Sequence, residues 1–318
     1  MSSIREDIQN ILENRKIHSE IRLREDLARI RTQYPELTEV EQEIASLTEQ
    51  QMLLSLDGKS DETLEDKIRD LDKRRETVMR KYGLTSKDFE AKPFCSLCGD
   101  TGFITEVTDS GRETQVPCTC ICGILAPTYL EQGGIDRYPD VAFEKASASF
   151  FEGNPAAGNV FLAVKTLAEK RKMANLVLFG PSGTGKTFMA VSAARCYAEK
   201  GIPSMVIRMA DAQELMMEYR KNVQSFYTNQ EKERSVTMRR NLLVEADLLV
   251  LDDLGVEIKT PNSEADLLYI LDTRAQMGRK TIITTNYDLN SLKERYGGRV
   301  YERLAHSFKI YKVPGREG

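Results

Sequence analysis

Over the first 90 residues, apolar side chains recur three and four positions apart, as in Ile4, Ile8, Ile11, then Ile17, Ile21, and later Leu64, Ile68, Leu71, against a background of Glu and Arg. That period predicts amphipathic helices. Pro or Gly interrupts it at Tyr34-Pro35, across 56–60 and at Tyr82-Gly83, and Ser60 or Asp61 is suited to cap the helix after the second break. The expected object is a helical hairpin or small bundle, serving either as a stabilising bundle or homotypic coiled coil, or as a docking module for a partner protein.

Beyond it the pattern shortens. Phe103–Val107 and Glu113–Val116 flank Asp109-Ser110-Gly111 and read as a β-hairpin. Residues 123–160 are punctuated by Pro127, Gly133-Gly134, Pro139, Gly153, Pro155 and Gly158 and read as a linker. Its Phe143, Phe150 and Phe151 are expected to anchor it to the following core, or alternatively to pack on an adenine ring. From there short apolar runs alternate with helical segments: strand 176–179, helix 188–200, then strands 203–208, 247–253 and 280–285. The fold class is therefore α/β, a parallel sheet flanked by helices. The expected divisions are a helical region (1–94), a small zinc-ribbon-like module (95–123), a linker (124–159) and a nucleotide-binding domain (160–318).

The apolar run Leu176-Val177-Leu178-Phe179 leads directly into Gly180-Pro181-Ser182-Gly183-Thr184-Gly185-Lys186-Thr187, which satisfies every fixed position of GxxxxGK[ST]. Glycines let successive N–H groups converge on an anion, Lys186 is placed for the β- and γ-phosphates, and the Thr187 hydroxyl for Mg²⁺. The helix that follows offers the positive end of its dipole. ATP and Mg²⁺ are the ligands this pattern calls for. A later apolar strand ends in Asp252-Asp253. Asp252 is expected to hold the Mg²⁺ shell, and Asp253 to polarise the attacking water. Strand 280–285 ends at Asn286, which should lie near Asp252, because ligand groups gather at the carboxyl ends of parallel strands. Arg299 and Arg303 lie four residues apart on one helical face. They are either structural, or one of them neutralises charge in a neighbouring subunit's nucleotide site.

Five of six cysteines fall between 95 and 122. Clustered thiols in a chain with no signal-like N-terminus suit tetrahedral Zn²⁺ better than disulfides. Cys95, Cys98, Cys118 and Cys120 are the expected ligands, with Cys122 a competitor for one of the last two positions. Cys196, within the helix after the phosphate loop, reads as a small hydrophobe. Length suggests about two domains. No apolar stretch approaches the roughly 18 residues of a membrane span, so a cytoplasmic protein without membrane contact is expected. Residues 1–94 carry 17 of the 45 Lys and Arg and 21 of the 49 Asp and Glu, which leaves 28 of each sign for the remainder. Any nucleic-acid contact must therefore use a local patch.

Taken together, the phosphate loop, Leu-Val-Leu-Asp252-Asp253-Leu-Gly, Ile-Ile-Thr-Thr-Asn286 and Gly-Arg299-Val-Tyr-Glu-Arg303-Leu resemble the AAA+ helicase loaders of the DnaC/DnaI type, within the IstB-like superfamily. The likeness runs over about residues 140–318, and the Cys-x-x-Cys-Gly-Asp-Thr-Gly and Cys-x-Cys knuckles extend it to about residue 95. It implies an AAA+ P-loop ATPase domain with a truncated lid, which binds the replicative DNA helicase through its N-terminal region, contacts single-stranded DNA and assists helicase loading in DNA replication. By motif, Asn286 matches the sensor-1 residue and Arg303 the arginine finger, with self-association or assembly on the helicase ring following from a finger in trans. Arg299 matches a nearby arginine of unassigned role, and Arg316 is a poor substitute for a second sensor. The DNA-contacting element falls between the second and third strands, where Arg220, Lys221, Arg234, Arg239 and Arg240 accompany Tyr219, Phe226 and Tyr227. That composition suits a single-stranded groove or an ordinary solvated helix face. Two other readings stay open: a transposition helper ATPase acting on target DNA, and a non-enzymatic adaptor switched by nucleotide.

Overall fold

The computed structural model describes residues 2–56, 61–107, 111, 113–146, 154–224 and 230–315, with side chains described from residue 8, and around the last gap up to 222 and from 233. Ser60, Phe150, Phe151, Phe226, Tyr227 and Arg316 lie outside these residues. The chain forms two compact units, residues 2–102 and 103–318. Among the described residues, no helix is long and apolar enough to cross a membrane.

The first unit contains the expected helices, α1 (Ser2–Gln33), α2 (Pro35–Leu56) and α3 (Glu62–Lys81). Pro35 opens α2, where its missing N–H costs nothing, and the Asp61 carboxylate caps α3 by accepting from Thr63 N–H. Leu37, Val78 and Met79 form the core, and Ile30, Tyr34, Tyr82, Leu84 and Phe89 pack against it. The α1 stripe is only partly used, since Ile17 and Ile21 remain exposed.

In the second unit β1 (Phe103–Val107) and β2 (Glu113–Pro117) pair antiparallel, Phe103 opposite Pro117 and Val107 opposite Glu113, as the alternation predicts. The linker expectation needs correcting. α4 (Thr119–Gln132) and α5 (Pro155–Glu169) occupy much of it, and both pack on α6 (Lys186–Glu199). Pro127 removes one helical donor, yet α4 continues through it because Ile121, Leu125 and Tyr129 are buried on one side. Phe143 is buried edge-on against Phe161, 5.6 Å between centroids, and is a core anchor.

The sheet holds β3 (Leu176–Phe179), β4 (Ser204–Arg208), β5 (Leu248–Leu254), β6 (Lys280–Thr285) and β7 (Lys309–Lys312), all parallel in the order β4-β5-β6-β3-β7. β7 was not legible in the sequence, because Lys-Ile-Tyr-Lys is too short and too polar at its ends to signal a strand. Alternation divides the faces. Val177, Leu249, Leu251 and Ile283 share one core with residues of α7 (Met209–Gln224), α8 (Gln230–Glu245), α9 (Ser263–Gln276), α10 (Leu289–Tyr296) and α11 (Gly298–Ser307). Their neighbours Leu178, Val250 and Ile282, equally buried, point to the opposite face, where α6 packs. The carboxyl ends of β3, β5 and β6 thereby deliver the phosphate loop, the acidic pair and Asn286 to one edge.

Candidate functional site

The phosphate loop leaves β3 through Gly180, whose N–H donates to the Thr285 carbonyl at 3.3 Å. A Cβ on Gly180 would lie 2.0 Å from the Val313 carbonyl oxygen, so only glycine fits between the ends of β6 and β7. Gly183 (φ +76°) and Gly185 (φ +87°) adopt left-handed conformations that turn the backbone into the start of α6. Lys186 is buried and donates from Nζ to the carbonyls of Gly180 (2.8 Å) and Pro181 (2.7 Å). Burial draws its pKa down, while Asp253 and then Asp252 hold the ammonium charged.

Asp252 is almost fully buried at the end of β5. Two hydroxyls donate to its Oδ1, Thr187 at 2.8 Å and Thr284 at 2.6 Å. Burial pushes the Asp252 carboxyl up, and the Thr284 and Thr187 hydrogen bonds draw it back. Asp253, still within β5, has φ +55°, a left-handed conformation rare for a residue with a Cβ, and its N–H donates to Thr284 Oγ1 at 3.0 Å. The β5–β6 register shifts between Leu251 and Leu254 at this point. Asn286 is exposed just beyond β6. Within β6 it is Thr284 that touches the acidic pair, a role the sequence did not signal because threonine inside a strand is ordinary.

Two further groups were missed. Tyr138, in the stretch read as linker, lies close enough to the site that the Asp252 charge adds to burial in raising its phenol pKa. Arg195 holds that loop by donating to the carbonyls of Val141 and Tyr138, both at 2.7 Å. After the acids, Glu257 is buried, accepts from Gly255 N–H at 2.8 Å and from the Tyr296 hydroxyl, and pairs with Arg295. This clamp ties the segment after β5 to α10.

Arg299 and Arg303 line one cleft on α11, and Arg303 is ion-paired with Asp272 of α9. The basic stretch on α7 and α8 is divided. Arg220 pairs with the buried Asp266, and Arg240 lies over both Tyr219 (4.9 Å) and Tyr269 (5.2 Å). Lys221 and Arg234 are exposed, and Arg239 is half-buried.

The Sγ atoms of Cys95, Cys98, Cys118 and Cys120 all lie within 4.8 Å of one another. Four thiols so gathered fit a tetrahedral Zn²⁺. Asp100 shapes the first knuckle: at φ +63° its carboxylate accepts from the N–H groups of Phe94 (2.7 Å) and Cys95 (2.9 Å). Cys122 falls outside the group. Its Sγ donates to the Lys200 carbonyl at 3.2 Å, and burial raises its pKa. Cys196 is half-buried, its pKa also raised by burial. For nucleotide and Mg²⁺ the donor set fits as directly, since the loop runs into the N-terminus of α6 beside the Lys186 ammonium, with the Thr187 hydroxyl and the Asp252 carboxylate already together.

A family model described as IstB-like ATP binding protein matches residues 148–315. Among curated proteins, the replicative helicase loader DnaC of Buchnera aphidicola subsp. Baizongia pistaciae is 29% identical over 149 residues, 46% of this chain and 56% of that protein. DnaC of Escherichia coli K12 is 26% identical over 42% of this chain and 50% of that protein. The replicative helicase loader DnaI of Bacillus subtilis is 26% identical over 42% of this chain and 40% of that protein. The matches thus span about half the length of these relatives. A crystal structure of the DnaC helicase loader aligns over 56% of this chain and 98% of that one, with 21% identity and a TM-score of 0.45.

Proposed function

From its membership of the IstB-like ATP-binding family, whose AAA+ P-loop fold it has, we propose that the chain is an ATP-dependent loader that binds the replicative DNA helicase and single-stranded DNA in DNA replication. The observation that carries the reading is the convergence of Lys186, Thr187, Asp252 and Asp253 at one end of the sheet, joined to relatives that are themselves named replicative helicase loaders.

The residues divide the work of hydrolysis. The backbone of 180–187 and the Lys186 ammonium hold and orient the triphosphate, an arrangement in which positioning and charge neutralisation supply most of the rate. Thr187 and Asp252 are the groups that hold Mg²⁺, which when bound neutralises charge on the β- and γ-oxygens. Asp253 accepts a hydrogen bond from the attacking water, and Asn286 orients it. Arg303 of a second copy completes the site, with Arg299 beside it, so that turnover depends on assembly. The four cysteines hold Zn²⁺ as a structural ion. The helical region is the helicase-binding element, and Lys221, Arg234 and Arg239 are the basic groups available to a DNA strand. The site of action is the cytoplasm.

The test is co-purification of the chain with its cognate replicative helicase, with and without residues 1–94, in parallel with ATP turnover by Asp253→Asn. Retention of the helicase only by the full chain, and loss of turnover without loss of ATP binding, is the expected result. A full chain that binds target DNA but no helicase would point instead to a transposition helper. Unchanged turnover by Asp253→Asn would exclude the hydrolytic mechanism.

A further inference from the structure

Thr284 is fully buried and lies 32 positions beyond Asp252, yet both hydrogen bonds of its side-chain hydroxyl are made to the acidic pair. A backbone N–H only donates, so the 3.0 Å contact from Asp253 N uses the lone pairs of Thr284 Oγ1. The single hydroxyl proton is then committed to Asp252 Oδ1, 2.6 Å away. One side chain therefore holds the carboxylate of the first acid and the backbone of the second. Asp253 is left-handed at this point, a conformation strained for a non-glycine residue. Without a partner for its N–H the chain would relax toward the extended conformation of β5, and the Asp253 side chain would turn to the other face of the strand.

We propose that Thr284 is the positioning residue of the site: its hydroxyl sets Asp252 for the divalent cation and, by holding the Asp253 peptide left-handed, aims the second carboxylate at the attacking water. This deepens the ATPase reading and rests on it. It also separates two roles on β6. Asn286 is exposed at the strand end and free to meet nucleotide, whereas Thr284 never leaves the protein interior and acts only through Asp252 and Asp253.

The full chain carrying Thr284→Val, which keeps the shape and loses the hydroxyl, is compared with Thr284→Ser, which keeps it. ATP affinity is titrated with excess Mg²⁺ and with EDTA, turnover is measured at saturating ATP against Mg²⁺ concentration, and thermal melts establish that each variant is folded. Groups that orient metal-binding side chains are typically worth 10–100-fold, so Thr284→Val is expected to lower turnover and raise the Mg²⁺ concentration for half-maximal turnover by about tenfold or more. Its ATP affinity in EDTA should match wild type, and Thr284→Ser should recover most of both losses. The proposal is overturned if folded Thr284→Val keeps wild-type turnover and Mg²⁺ dependence. It is equally overturned if Thr284→Ser is as impaired as Thr284→Val, or if the EDTA affinity falls in step with turnover. Should the wild-type chain not hydrolyse ATP, the ATPase reading fails, and the Mg²⁺ dependence of ATP affinity in the two variants still decides whether the Thr284 hydroxyl positions Asp252.

Discussion

Arg303 on α11 lies against Asp272 on α9 as an ion pair. Both side chains are 40% exposed. A solvated pair of this kind is held by little, typically under about 1 kcal/mol, so the guanidinium is restrained and readily released. An arginine that must reach a neighbour's nucleotide needs that property.

Arg303→Ala is expected to leave ATP affinity unchanged and lower turnover by about a thousandfold, the scale on which arginine fingers act. Asp272→Asn removes the competing charge, so half-maximal turnover should occur at a lower protein concentration. Turnover measured against protein concentration checks both, and full activity in Arg303→Ala would show that the residue is structural.

Gly180 and Lys186 fail differently when changed. Gly180→Ala drives a methyl into the Val313 carbonyl, and overpacking of this kind costs about 1–3 kcal/mol. Its melting temperature and its ATP affinity should fall together. Lys186→Ala loses two hydrogen bonds to loop carbonyls and should melt close to wild type while failing to bind ATP in a titration.

Metal content separates the cysteines. Cys120→Ser is expected to lose the bound zinc on dialysis, measured by atomic emission, whereas Cys122→Ser keeps about one equivalent because its thiol bonds to the Lys200 carbonyl outside the group. A chelator should disorder the β1–β2 hairpin and its flanking knuckles, read as loss of amide protection there. Zinc retained by Cys120→Ser and lost by Cys122→Ser would reverse the ligand assignment.

The basic helices predict two classes of variant. Arg220→Ala leaves the buried Asp266 without its partner and should destabilise the domain by about 1–3 kcal/mol. Arg240→Ala, which strips the cation from between two tyrosines, should likewise lower the melting temperature. By contrast, joint replacement of Arg234 and Arg239 by Ala should leave the melt unchanged and weaken single-stranded DNA binding, with a shallower salt dependence. Equal DNA affinity in that double variant at low salt would place the strand elsewhere.

Where chemistry depends on residues adjacent in the chain, the sequence was sufficient. The loop 180–187, the strand that carries the acids 252–253, the β1–β2 hairpin and four of the five parallel strands follow from spacing and period, because glycine turns and strand alternation are local properties, whereas the sequence left five cysteines competing for four positions. The rest depends on partners brought together from afar. Nothing near Thr284 reveals that it bridges Asp252 and Asp253, and nothing near Arg220 or Arg240 reveals that Asp266, Tyr219 and Tyr269 already occupy them. β7 is a strand only because the edge of β3 supplies its hydrogen bonds, and in doing so it brings Val313 against Gly180. Local conformational preference thus determined where the loop, the hairpin and the strands lie. Which distant groups their residues meet was decided by the packing of the sheet and its helices, since a partner far along the chain leaves no mark on the local sequence.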